Sequence, residues 1–303
     1  MSSARPLPTI ATLNAASRDD FIAQLQDTFE HAPWVAADVA GLRPFADADA
    51  LHRAMIAAVA TRSEDERVRL FAGHPELAGK AARAGLMTAD STLEQGALAL
   101  GSVAGAESAR WDALNARYRA RFGFPFILCV KRHTRASALA AFESRLHNDR
   151  EEELANALAE IQRITRLRLA QRVASHGFDD IEGRLTIRVL DTSRGVAAAG
   201  MSVSLYEAGH DGRAEPGATP IATATTDDRG GTPAPLLAGA PLRIGRYELQ
   251  LAVGAYYRAL GLVDDPWAFL DVVPIVFAIA QPEGRYHLPL TITPWAYAAH
   301  RAA

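Results

Sequence analysis

Residues 151–189 read EEELANALAEIQRITRLRLAQRVASHGFDDIEGRLTIRV, and the spacing of the apolar residues changes partway along. Leu154, Leu158, Ile161 and Ile164 recur at three- and four-residue steps, which lays one apolar stripe along a helix. After Ser175-His176-Gly177 the step becomes two, and Leu185-Thr186-Ile187-Arg188-Val189 alternates like a half-buried strand. Upstream, from Ser17 to about Val173, alanine and other strong helix formers dominate and no strand alternation of any length occurs. Asp19 to Phe29 is expected to form the first helix, begun after Ser17 or Arg18 and ended by Pro33. Downstream, Met201 to Tyr206, Tyr247 to Val253 and His287 to Thr293 alternate. Asp211-Gly212, Pro216-Gly217, Asp227 to Gly231 and Asp264-Asp265-Pro266 supply turns between them. The pattern predicts a multidomain chain. An all-α, helical bundle-like domain occupies 1–174 and an all-β sandwich occupies 182–303. A length of 303 residues suits two such domains.

Composition narrows the function classes. A net charge of −3 gives no electrostatic reason to expect nucleic acid or an anionic membrane as partner. No run is long and apolar enough to span a bilayer, and Met1 to Ala16 lacks the charged-then-apolar order of a secretory signal, so the cytoplasm is expected. The one cysteine, Cys129, has no internal disulfide partner and sits in the apolar run Phe126 to Val130, as a core residue would. The nine histidines are scattered, with no His-Glu-x-x-His and no cysteine pair, so no metal site is expected.

Three places in the first half carry polar groups of interest. His74 precedes Pro75, which pushes its backbone toward an extended form, and Pro75 is suited to open a helix. That would place His74 at a loop-to-helix junction. Ser91-Thr92-Leu93-Glu94 reads locally as a capping box, with Gln95 on the surface. Arg168 falls seven residues after Ile161 and four after Ile164, so it continues the apolar stripe. A guanidinium on an inward face needs an anionic partner, either an internal carboxylate or a substrate carboxylate. Arg166 and Arg172 point elsewhere and are expected to be solvated.

Taken together, residues 13–172 resemble the 2-oxo-4-hydroxy-4-carboxy-5-ureidoimidazoline (OHCU) decarboxylases. The resemblance is carried by Phe29-Glu30-His31-Ala32-Pro33-Trp34, Arg43-Pro44-Phe45, His74-Pro75-Glu76-Leu77-Ala78-Gly79, Ser91 with Glu94-Gln95, Leu114-Asn115 with Tyr118, Phe122 to Ile127, and Arg168-Leu169. It implies cofactor-free decarboxylation of a urate-pathway intermediate to (S)-allantoin. His74 would be the principal acid/base group, assisted by Glu94. Pro75, Ser91, Gln95 and the backbone around Phe126 and Ile127 would hold the ring, and Arg168 an anionic part of the substrate. An imidazole near its unperturbed pKa would suit the proton step.

Residues 183–303 resemble the transthyretin-like 5-hydroxyisourate hydrolases, through Leu185 to Asp191, Ala234 to Leu237, Tyr247-Glu248-Leu249, Phe269 to Ile275, and Tyr286 to Leu290 with Pro294-Trp295. The resemblance implies a two-sheet sandwich that assembles as a homo-oligomer. Its hydrolytic positions depart, however. Arg188 stands where the family has histidine, Gly231 where it has arginine, and the closing Tyr-Arg-Gly-Ser reads His300-Arg301-Ala302-Ala303. Only His287 survives, and hydrolysis needs both a base for water and a donor for the oxyanion. The expected outcome is a decarboxylase joined to a degenerate hydrolase-like domain and oligomerising through both domains. A fully bifunctional enzyme, or a second half that binds small molecules, are the alternatives.

Overall fold

The computed structural model describes residues 6–79, 84, 87–96, 98, 105–174, 178, 181–209, 212–264 and 267–301. Ser175-His176-Gly177, Asp211, Asp265-Pro266 and Ala302-Ala303, all used in the sequence reading, lie outside them. Contacts divide the chain into one unit of residues 1–131 and 138–179 and another of residues 132–137 and 180–303. No helix among the described residues is long and apolar enough to cross a membrane.

The first unit is helical: α1 (Ile10–Ala15), α2 (Arg18–Leu25), α3 (Pro33–Val39), α4 (Ala48–Ala60), α5 (Glu64–Ala72), α6 (Ala89–Gly96), α7 (Gly105–Phe122), all of α8 (Arg135–Arg145) but its first three residues, and α9 (Arg150–Ala170). Side-chain caps set many of the starts. Ser17, Asp47 and Asp149 each accept from a backbone N–H of the first turn, and Ser63 with Glu66 forms a full capping box. The helix expected to run to Phe29 stops at Leu25 and tightens into a 3₁₀ turn over Gln26–Thr28. Pro33 does not end it but opens α3, where its missing N–H costs nothing. The core is aromatic: the Tyr118 ring contacts Phe122, Phe124, Phe126 and Phe142, and Phe126 stacks on Phe142 with centroids 4.0 Å apart.

The second unit packs two four-stranded sheets. One has the order β2-β1-β7-β8 and the other β4-β3-β5-β6. The strands are β1 (Arg184–Asp191), β2 (Val196–Ala197), β3 (Ser202–Glu207), β4 (Ala222–Thr225), β5 (Gly245–Leu251), β6 (Val273–Ile279), β7 (Arg285–Ile292) and β8 (Tyr297–Ala299). β1 and β7 run parallel, and the other pairings are antiparallel. Leu185, Ile187 and Val189 of β1 and Tyr286, Leu288, Leu290 and Ile292 of β7 face the core, as period-two alternation requires. Val253, read as the end of a strand, instead starts the short helix α10 (Val253–Ala259). β6 carries Pro274, tolerated because the strand lies at a sheet edge. Gly230 is required in the turn between β4 and β5: φ is +74°, and a Cβ there would lie 2.1 Å from the Val189 carbonyl oxygen.

Candidate active site

Ser91, which local reading made a helix cap, lies within α6, two residues past its start. Thr88 precedes α6 and accepts from Ser91 N–H through Oγ1 at 3.3 Å, so Thr88 starts the helix and Ser91 is released for other work. Ser91, Glu94 and Gln95 sit at i, i+3 and i+4, one face of the helix, and all three are buried, while Leu93 on the other side is exposed. Gln95 is therefore not a surface residue. Its Oε1 accepts from Ala78 N–H at 3.1 Å and its Nε2 donates to Glu76 O at 3.3 Å, so it pins the segment that follows His74.

His74 lies just past the end of α5, its N–H bonded to Phe71 O, and Pro75 opens no helix. The following residues make a turn in which Ala78 takes φ +51°. His31, at +50°, is the other non-glycine residue with positive φ among those described. Left-handed backbone costs on the order of 1 kcal/mol per such residue, and both examples adjoin this site. The His74 ring meets Leu70 O through Nδ1 at 3.3 Å. A carbonyl only accepts, so Nδ1 carries the proton and Nε2 keeps a free lone pair in the neutral ring.

Phe126 and Ile127 arrive on the buried irregular stretch between α7 and α8. Arg145 donates to Ile127 O at 2.9 Å and covers the Phe126 ring, while Glu160 accepts from Cys129 N–H at 2.8 Å. Cys129 is buried, as its apolar run suggested.

Arg168 projects inward from α9, 2% exposed. Its partners are internal carboxylates. Glu94 takes Nε at 2.9 Å and Nη2 at 2.8 Å in a bidentate pair, and Glu30 takes Nη1 at 2.8 Å. Ser91 Oγ lies 3.3 Å from Nη2. Arg166 and Arg172 are not simply solvated: they are partly buried and paired with Asp49 and Asp90.

These elements converge on one small pocket, partly open to solvent, with a volume of about 30 Å³. His74, Pro75, Ser91, Glu94, Gln95, Phe126, Ile127 and Arg168 all line it, joined by Leu77, Leu128, Val130 and Ile164. The apolar walls shape the electrostatics. Burial pushes His74 down to about 4; the Glu30 charge resists this and the Arg168 charge adds to it. The expected near-ordinary imidazole is thus corrected: with its proton affinity lowered this far, the ring is uncharged at neutral pH. Burial alone would raise the Glu30 carboxyl, but the Thr88 hydroxyl, Arg168 and His74 outweigh it and hold it below the usual value. Glu30 is the residue the site reading missed. It lies between helices, where no periodicity signals which way it points.

The four positions singled out in the β unit come out differently. His287 and Arg188 lie on the outward face of neighbouring strands β7 and β1. His287 Nδ1 is 2.9 Å from Thr186 Oγ1, and Arg188 Nε donates to Arg229 O at 3.1 Å. Gly231 N–H is held by Asp227. A Cβ at Gly231 would find its nearest neighbour at 3.7 Å, so a side chain has room but none is there. His300 pairs its backbone with Pro289 O at 3.0 Å.

The chain belongs to the OHCU decarboxylase family through residues 14–170 and to the HIUase/Transthyretin family through residues 185–302. The first region is 35% identical over 167 residues to the 2-oxo-4-hydroxy-4-carboxy-5-ureidoimidazoline decarboxylase of Haloferax volcanii, covering 55% of this chain and 97% of that protein. The second is 43% identical over 122 residues to the 5-hydroxyisourate hydrolase of Ralstonia nicotianae, covering 40% of this chain and 99% of that one. A crystal structure of (S)-allantoin synthase, 29% identical, matches 97% of this chain and 100% of its own with a TM-score of 0.51.

Proposed function

We propose that the helical domain decarboxylates 2-oxo-4-hydroxy-4-carboxy-5-ureidoimidazoline to (S)-allantoin without a cofactor. The observation that carries the reading is the convergence of His74 from the end of α5, Ser91, Glu94 and Gln95 from α6, and Arg168 from α9 on one largely apolar pocket. The ring carbon that bears the carboxylate also bears a hydroxyl and adjoins a C=N bond. When the carbon–carboxylate bond breaks, its electron pair forms a C=C bond and the C=N pair moves to nitrogen, which takes a proton. The resulting enol loses its O–H proton and the neighbouring carbon gains one. The net change is substrate carboxylate plus one proton to carbon dioxide plus allantoin. His74, through the lone pair on Nε2, takes the hydroxyl proton and returns it to carbon from one side, which sets a single enantiomer. The Glu94–Arg168 pair lines the same space and orients the anionic substrate against that ring.

The β domain serves as an assembly module that brings copies together. Exposed Trp267, Phe269 and Trp295 support this role. Its hydrolase site is retired: with Arg188 for histidine and Gly231 for arginine, His287 is left without the second group that water activation and oxyanion stabilisation demand. The test is circular dichroism of full-length protein mixed with freshly generated 5-hydroxyisourate. The expected course is spontaneous decay of that compound followed by stereospecific allantoin formation. His74→Asn is expected to abolish the second phase without unfolding the domain; retained turnover would remove His74 from the mechanism.

A further inference from the structure

Glu30 is 4% exposed and fully engaged, yet Arg168 does not need it for charge balance. Glu94 already meets the guanidinium with two hydrogen bonds. A second buried carboxylate adds a desolvation cost and leaves two negative groups around one positive one, which a purely stabilising design would avoid. Its bonds explain what it does instead. Glu30 Oε2 closes the free Nη1 corner of Arg168, so the guanidinium plane is held on both sides. Glu30 Oε1 accepts from Ser91 Oγ at 3.1 Å and from Thr88 Oγ1 at 2.7 Å, which fixes the direction of the Ser91 hydroxyl at the cavity wall. Its charge also acts on His74, against the burial and the Arg168 charge that disfavour the imidazolium.

We propose that Glu30 is a positioning residue for the decarboxylation, fixing Arg168 and Ser91 at the pocket that His74 also lines. This rests on the decarboxylase reading above. Among the described residues, the charges of Glu30 from the segment before α3 and Arg168 from α9 act on His74, as do the Leu70 and Phe71 carbonyls of α5; Glu94 of α6 lines the same pocket. Glu30 is the one whose removal takes a negative charge from the ring while leaving the Glu94–Arg168 pair in place.

The experiment uses full-length wild type, Glu30→Gln and Glu30→Asp, with two readouts. One is kcat and KM for (S)-allantoin formation from the freshly generated intermediate. The other is the His74 Cε1 resonance in histidine-labelled protein, assigned with His74→Asn and followed downward in pH. For Glu30→Gln, kcat is expected to fall about 10- to 100-fold at little-changed KM, the scale of a misplaced reacting group. Its His74 resonance is expected to begin shifting at lower pH than in wild type. Glu30→Asp keeps the charge and is expected to restore the titration and part of kcat. A folded Glu30→Gln with wild-type kcat, or with reduced kcat and an unmoved titration, overturns the proposal. Should that variant not fold, Thr88→Val removes one donor to Glu30 without leaving a buried charge unpaired. Because Thr88 also caps α6, a lower kcat together with a moved His74 titration at unchanged helical circular dichroism supports the proposal; an unchanged kcat, or a lower kcat with an unmoved titration, overturns it. A wild type that forms no (S)-allantoin overturns the decarboxylase reading itself, an outcome separate from an active wild type matched by its variants.

Discussion

Acid should weaken the helical domain well above the pH at which carboxylates titrate, and two buried histidines set the size of the effect. His52 is 1% exposed in α4, with Nε2 at 2.9 Å from Thr165 Oγ1. Burial, and then the Arg166 charge, push it down to about 4. Burial does the same to His74, also to about 4. Both regain an ordinary value near 6.5 when the chain unfolds. Between those limits the unfolded state binds more protons than the folded one, so stability is lost as pH falls through the window. Each pH unit costs about 1.4 kcal/mol per histidine, hence about 3 kcal/mol for each by pH 4 and about 4 kcal/mol for the two together at pH 5. Glu30, held low in the folded state, adds a further loss in the same direction below the ordinary carboxylate range. Set against a typical total of about 5–15 kcal/mol, this removes a large share of the stability of the domain by pH 4. The assay is urea unfolding followed by the helical circular dichroism signal at a series of pH values from about 7 to about 5. The midpoint should drop steadily, and His52→Asn should remove about half of the slope. A midpoint constant over that range would mean that both rings take up protons in the native state, and the burial argument would fail.

Arg168→Met should cost about 3–5 kcal/mol in urea unfolding, because it strands Glu30 and Glu94 in the interior without their cation. A loss below about 1 kcal/mol would show that water reaches the pair. Gly230→Ala should destabilise the β domain by more than the roughly 1–2 kcal/mol that left-handed backbone costs a residue with a side chain, since the new Cβ also meets the Val189 carbonyl. Reduced amide-exchange protection along β1 would report it. Arg188→His, which restores only one of the missing polar groups, should leave 5-hydroxyisourate decaying at its spontaneous rate; acceleration by this single change would show that Gly231 is not the limiting defect.

The change of period between Ile164 and Leu185 was enough to separate a helical half from a sheet half, because the 3.6- and 2-residue periods of a buried face are local properties of the chain. Short motifs with special chemistry were also legible, and His74, Ser91, Glu94, Gln95 and Arg168 converge on one cavity. Local rules failed where two of them competed. Ser91 matches a capping box, yet Thr88 takes that place and turns Ser91 inward. Pro33 matches a helix stop and is a helix start. The inward position of Arg168 followed from its spacing, but its choice of partners did not, since Glu30 and Glu94 are 138 and 74 residues away in sequence. The sequence by itself determined the two fold classes and the polar groups available to each half. The tertiary structure alone decided that two carboxylates share one guanidinium and that burial strips His74 of its proton, because pairing and desolvation depend on which groups meet across the fold and how little water remains between them.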